Sequence, residues 1–220
     1  MSTPLPPWVW IGAISLSAVA GMVNVVGFLG YEHQGLGHLT GATSQLGIAL
    51  TQGDWPAIGH LWGLLLAFCA GATLSGLLIE QQQLRLGRRY GVMLLIECAL
   101  LLLAIPLFSQ QHIAAAWVAA AACGIQNALA TTFSGAIIRT THLTGMFTDL
   151  GIGLGHLLRG LPLAMRRLTL SGLIISGFLA GSMAGALLFA RYAYQALYAP
   201  ALLTGAAGAS YMLYSLLRRR

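Results

Sequence analysis

Six stretches of this chain, near residues 8–29, 57–79, 91–108, 113–137, 168–190 and 196–217, are long apolar runs with hardly a charge inside them. Each is close to the roughly 20 residues that carry a helix across a hydrocarbon core. The rest of the composition agrees with lipid as the main solvent. Only 7% of the 220 residues are charged and 57% are hydrophobic, whereas a soluble domain carries roughly a quarter charged residues because its surface must face water. The expectation is an all-α membrane protein in one membrane domain, with no room left for a soluble catalytic domain.

Two shorter apolar segments, 38–52 and 142–158, contain His, Gln, Asp and several Gly. They fall below the usual spanning length, and the arginines bear on whether they cross. All eleven basic residues are Arg, against five acids, Glu32, Asp54, Glu80, Glu97 and Asp149. In a soluble protein a pI near 9.7 would raise nucleic-acid binding. Here the arginines stand in short inter-helix segments, so they report membrane orientation and no nucleic-acid partner is expected. If both short segments cross and the C-terminus is inside, Arg85, Arg88 and Arg89 fall outside. If neither crosses, Arg85, Arg88, Arg89, Arg139, Arg159, Arg166, Arg167 and the Arg218–Arg220 tail gather on one side. Only Arg191 then faces the other, with Glu32 and Asp54. The positive-inside rule favours the second arrangement, about six spans with both termini cytoplasmic.

The ends and the thiols add little chemistry. Trp8 and Trp10 are suited to anchor the first span at the interface, and Met1 to Trp10 lacks the basic start of a cleaved signal peptide. Cys69, Cys98 and Cys123 lie in apolar stretches without a CxxC spacing, so buried free thiols are expected and no metal site.

The short segments reveal a duplication. His38-Leu-Thr-Gly-Ala-Thr-Ser-Gln-Leu-Gly-Ile recurs as His142-Leu-Thr-Gly-Met-Phe-Thr-Asp-Leu-Gly-Ile. Upstream, Gly21-x-x-Asn24 matches Gly124-x-x-Asn127. Downstream, Phe68-Cys-Ala-Gly71 matches Phe178-Leu-Ala-Gly181. The chain thus divides into a first repeat, 1–110, and a second, 111–220, each with three spans and one short helix after its first span. An odd number of spans turns the second repeat over relative to the first, the inverted design of many transporters, with a site near the midplane between the halves.

The run Gly124-Ile-Gln-Asn-Ala-Leu followed by Arg139-Thr-Thr-His-Leu-Thr-Gly-Met-Phe-Thr-Asp-Leu resembles the YoaK family of bacterial integral membrane proteins, whose domain has no assigned function. The likeness covers nearly the whole chain and implies a membrane location without implying a substrate; the inner membrane, with both termini cytoplasmic, is the expected location. The family pattern favours Asp where Asn24 stands and Thr-Gly-Asn where Thr40-Gly41-Ala42 stands, so the first half lacks an acid there.

The polar residues that the duplication preserves are the candidates for function. His38, Gln45 and Gln52 are seven apart, as are His142, Asp149 and His156, and seven residues are close to two helical turns, so each trio shares a helix face. Thr40 and Thr144 are read as N-caps, each followed by glycine, Gly41 and Gly145. A helix that begins at membrane depth presents free N–H groups and the positive end of its dipole to an anion. The competing reading is an interfacial amphipathic helix whose stripe faces water.

Asp149 and Glu97 are the acids expected at depth, where a charge costs about 2.5–3.5 kcal/mol on insertion scales and faces a cavity or partner. Either could carry a coupled proton. Arg139 or a nearby His is the expected partner of Asp149. Asn24 and Asn127 can bridge helices or line a polar path. Gly71, with Gly177, Gly181 and Gly185, forms small-residue ridges that let the matching spans approach each other or a homodimer form.

No enzyme motif is present, and neither a cofactor nor a metal is expected. The leading expectation is a transporter or channel-like protein for a small polar solute. Its path would be lined by Asn24, His38, Thr40, Gly41, Gln45, Asn127, His142, Thr144, Gly145 and Asp149. The alternative is a non-transporting membrane module, a subunit or regulator of another membrane protein.

Overall fold

The computed structural model describes residues 7–30, 33–79, 88–133 and 141–217, and every regular element among them is helical. In chain order these are α1 (Pro7–Leu29), α2 (Leu39–Gln52), α3 (Trp55–Leu78), α4 (Arg88–Ser109), α5 (Ala114–Phe133), α6 (Leu143–Leu158), α7 (Met165–Tyr192) and α8 (Tyr198–Leu217). A single 3-10 turn, Ala193–Leu197, joins the last two.

Local chemistry sets the tight connections. Gly53 ends α2 at φ 68, a left-handed conformation that costs glycine no Cβ clash. Asp54 then caps α3, its carboxylate accepting from the Ala57 N–H at 3.2 Å, with Pro56 in the first turn where no helix donor is lost. Between α4 and α5 the His112 ring accepts from the Ala114 N–H at 3.1 Å, satisfying one of the free donors of α5.

Among the described residues, five stretches of helix are long and apolar enough to cross a membrane: Val9–Leu29, Trp55–Leu78, Arg88–Ser109, Ala114–Thr132 and the 53-residue run Met165–Leu217. The last takes in both α7 and α8, so the sixth expected span, near 196–217, is the second part of one continuous apolar run. At 14 and 16 residues, α2 and α6 are too short for a perpendicular crossing. Leu66, Leu77, Leu187 and Leu202 stand 60–77% exposed on the outer flanks, an apolar coat that suits lipid and would be costly in water.

The main helix pairs are α1 with α7, α3 with α5, and α4 with α8 and α5, while α2 lies on α3 and α6 on α7. The first two pairs are built from the same contacts. A Cβ on Gly21 of α1 would run into the Phe178 carbonyl of α7, and one on Gly124 of α5 would run into the Phe68 carbonyl of α3. In return, Gly181 of α7 sits against the Ala18 backbone, and Gly71 of α3 against the Ala121 backbone. The glycine ridges therefore meet the first span of the opposite half, not each other as their matching sequences suggest. A ridge permits close approach by any helix, and its sequence does not name the partner.

Directions follow from these contacts. Along α7, Gly177, Gly181 and Gly185 meet Ile14, Ala18 and Met22 in turn, so α1 and α7 run parallel. Gly63 meets Trp117 and Gly71 meets Ala121, so α3 and α5 are parallel as well. Gly91 of α4 meets Gly208 and Met212 of α8 while Gly205 meets Cys98, an antiparallel order. The largest cluster of buried side chains, including Leu64, Leu101, Phe108, Ala119 and Leu197, fills the space where α3, α4, α5 and the 3-10 turn converge.

Candidate functional site

Asn24, near the end of α1, is buried, and its side-chain oxygen accepts from the Gly37 N–H at 3.3 Å. Asn127 does the corresponding thing in α5. Its amide donates to the Cys123 carbonyl of its own helix at 3.1 Å, and its oxygen accepts from the Thr141 hydroxyl at 2.8 Å. Gly37 and Thr141 are the residues directly before His38 and His142. They also touch: a Cβ on Gly37 would stand 3.3 Å from the Thr141 methyl and 3.8 Å from the Cys123 sulfur. The two short helices therefore begin at one junction, and each is tied there by an asparagine from the first long helix of its own sequence repeat.

His38 and His142, not Thr40 and Thr144, occupy the N-cap positions. Both histidines hold non-helical backbone angles, and the leucine after each is already helical, which moves both threonines into the first turn. Neither cap has a side-chain hydrogen bond. The first-turn N–H groups around Thr40 and Gly41, and around Thr144 and Gly145, thus have no side-chain cap, and two positive helix ends meet at the junction. His38 is half-buried with its ring edge-on to Phe178, centroids 5.6 Å apart, and burial pushes its pKa below the ordinary value, so the neutral ring prevails at pH 7. His142 is exposed and its ring folds over Gly145.

The rest of the polar stripe does not reach the junction. On α2 the buried face is Ala42, Leu46 and Ala49, against α3, so Gln45 and Gln52 lie on the exposed side. His156 is exposed at the far end of α6. Asp149 stands seven residues along α6 from His142, about 10 Å by helical rise. Its carboxylate forms a two-pronged ion pair with Arg167 in the first turn of α7, the Nε–Oδ2 distance being 2.7 Å. The expected partner Arg139 lies outside the described residues, as do Glu32, Glu80, Arg85, the Arg218–Arg220 tail and the side chain of Trp8.

Because Arg167 is 68% exposed, solvent screens the pair and its contribution to stability is small. Asp149→Asn and Arg167→Gln are each expected to lower the melting temperature slightly. The double variant should fall no further than the worse single, since both remove one interaction. Additive losses in a thermal melt of the detergent-solubilised protein would show that each side chain has a separate partner.

A second polar locus lies between α4, α5 and α8. Glu97 and Gln126 are each only 2% exposed, deeper than any other acid or amide among the described residues. Glu97 is a candidate from the sequence. Gln126 is not, although the signal stands beside Asn127: an uncharged amide in the middle of an apolar span. The thiols are free, but only Cys123 is fully buried, Cys98 being partly covered and Cys69 exposed on the outer flank of α3. An apolar run shows that a span crosses without showing which of its flanks faces inward.

Together the apolar coat, the helix pairs and the buried polar loci define a small multi-pass helical membrane protein. A family model described as a protein of unknown function, DUF1275, matches residues 12–210, and the chain belongs to that family, the one also called YoaK. No match was found among curated proteins or among solved structures.

Proposed function

We propose that this chain is a small transporter or channel-like protein, and not an enzyme, for a solute bearing hydrogen-bond-accepting oxygens. The solute would be bound where α2 and α6 meet end to end. The observation that carries this reading is the paired arrangement Asn24–Gly37 and Asn127–Thr141, with Gly37 against Thr141. Two uncapped helix N-termini aimed at one point provide donors and positive potential without a buried charge. That is how transporters with broken helices hold oxygen-bearing substrates near the midplane. Asn24, Asn127, His38, His142 and the Thr40-Gly41 and Thr144-Gly145 turns line the site in this reading, with Gln45 and Asp149 on the approaches.

The proposal includes two inverted repeats, 1–110 and 111–220, in a bacterial inner membrane with both termini cytoplasmic. Six crossings by the long helices make α1 parallel to α7, α3 parallel to α5, and α4 antiparallel to α8. Eight crossings, with α2 and α6 spanning, make α4 and α8 parallel. The six-crossing reading agrees with all three observed directions and the eight-crossing reading with two. The exchanged contacts, Gly21 with Phe178 and Gly124 with Phe68, are what a two-fold relation between repeats generates.

One observation favours a second reading. Thr40, Ser44, Gly47 and Thr51 on α2, and the matching Thr144, Thr148, Gly151 and Gly155 on α6, are all exposed. Small hydroxyl-bearing stripes of this kind suit a neighbouring membrane helix, either in a second copy or in another protein, and the chain would then be a binding module.

Osmotic re-swelling of proteoliposomes separates the two readings. Vesicles containing the purified protein should re-swell faster than empty ones for at least one of a panel of monocarboxylates, phosphate, urea and glycerol. Asn24→Leu and Asn127→Leu should each lower that rate about tenfold or more, since each leaves a donor at the junction without its acceptor. Rates equal to those of empty vesicles across the panel would sink the transport reading and leave the binding module.

A further inference from the structure

Glu97 stands twelve residues before the end of α4 and Gln126 twelve residues after the start of α5. The two antiparallel helices are joined by a short turn, so both side chains lie about 18 Å from it, at one level of the bundle. Both are buried, and the Glu97 Oε2 and the Gln126 Nε2 have no hydrogen-bond partner among the described residues. The Glu97 carboxyl is within electrostatic reach of Tyr90 and Cys98 on its own helix and of Cys123 on α5. From α8 the titratable group on this side is Tyr211, whose ring packs edge-on to Tyr90, centroids 5.4 Å apart. The 3-10 turn contributes Tyr194, stacked on Phe108 near the other end of α4.

None of these groups carries a positive charge at neutral pH. Neither α5, α8 nor the 3-10 turn contains an Arg, Lys or His, and Arg88 and Arg89 are more than two helical turns away along α4, about 12 Å. Asp149, the other acid expected at depth, is already paired with Arg167. A buried carboxyl with no cationic side chain among its described neighbours is neutralised by taking up a proton, because a low-dielectric interior penalises the charged form. The wall opposite is also thin: α8 approaches α4 through Gly205, against Cys98, and through Gly208, against Gly91. Cys123 and Asn127 of the α5 turn that carries Gln126 reach the junction of the short helices.

We infer that Glu97 is a proton-binding site in the core of the membrane domain, holding its proton in this structure, with Gln126 as the buried amide at its level. Its part in transport, as the group that couples a proton to the junction one helix turn away, rests on the proposed function. Its existence as a protonated acid rests on the α4–α5–α8 geometry alone.

The test uses dicyclohexylcarbodiimide on the full-length protein in its membrane, read by peptide mass mapping. A protonated carboxyl adds across one C=N bond of the reagent. The oxygen joins the central carbon and the proton goes to nitrogen, and the O-acylisourea rearranges to an N-acylurea of the same mass. The adduct is expected on Glu97 and not on Asp54 or Asp149, and should diminish as pH is raised. Glu97→Gln, which copies the shape of the neutral acid, should fold and lose the adduct, while Glu97→Asp should keep it. Because Glu97→Gln could fail in the membrane, the wild-type pH dependence stands as an independent measurement. No adduct at Glu97 at any pH, or the same labelling in Glu97→Gln, overturns the proposal. An adduct on Glu97 in a protein that moves no solute upholds the proton site and rejects transport, so the two failures are distinguishable.

Discussion

Gly181→Leu is expected to abolish the folded protein, while Gly76→Ala should raise its melting temperature. At position 181 a single Cβ already meets the carbonyl oxygen, carbonyl carbon and Cα of Ala18. These atoms belong to the backbone of α1, which cannot yield as a flexible side chain would. The whole helix must move, and α1 also holds Asn24 at the junction. Overpacking into side chains commonly costs about 1–3 kcal/mol, and displacement of a helix backbone by a leucine belongs at or beyond the top of that range. Membrane helices lack a strong hydrophobic force to offset such a loss, since lipid is as apolar as leucine. Gly76 provides the contrast. It lies inside α3 with nothing within 4 Å of a Cβ, so alanine there should gain up to about 1 kcal/mol of helix propensity. The measurement is size-exclusion profile and thermal melt in detergent. The exchanged contacts add a second check: Gly71→Leu, which strikes the Ala121 backbone, should be as damaging as Gly181→Leu. A monodisperse Gly181→Leu with an unchanged melt would remove the packing argument from both helix pairs.

The same glycines show where sequence reading succeeds and where it stops. Hydropathy locates the helices, because length and apolar content are properties of each segment alone. The duplication links Gly71 with Gly181 and Asn24 with Asn127, and the structure gives the members of each pair corresponding contacts. The identity of a contact is a property of two segments, and there the sequence is silent. A small-residue ridge does not say which helix it will meet. The seven-residue spacing of Gln45 and Asp149 places each on a face, yet which face is covered depends on where α3 and α7 lie. Asp149 finds Arg167 because α7 returns alongside α6 after the six residues 159–164 and sets its first turn beside the carboxylate. Thr40 and Thr144 look like caps from residue preference, but the tie between each asparagine and the residue before the histidine brings the helix start forward. Gln126 lies in a motif that marks the family, and only the surroundings of Glu97 give it a reason to be polar.

The orientation of the bundle should yield an all-or-none result. In a background with Cys69, Cys98 and Cys123 replaced, single cysteines at Gln52, Gln110 and Leu161 are placed at the exposed ends of α2, α4 and α6 respectively. Leu161 is preferable to its neighbour Gly160, whose φ of 65 would strain any side chain. With six crossings and cytoplasmic termini, the α2–α3 turn and the α4–α5 turn face outward, while the α6–α7 loop faces the cytoplasm. A membrane-impermeant thiol reagent added to intact cells should therefore label positions 52 and 110 and spare 161 until the cells are opened. With eight crossings all three positions face the cytoplasm and none should react. The contrast between 52 and 161 is the informative one, because these positions end the two short helices at corresponding points of the repeat. If they react from opposite sides, α2 and α6 enter from opposite faces and their N-termini can meet only in the interior, at Gly37 and Thr141. Labelling of 161 in intact cells would place both short helices on one face of the membrane. The contact between Gly37 and Thr141 would then be a surface feature, and a binding site at the midplane would have no structural basis.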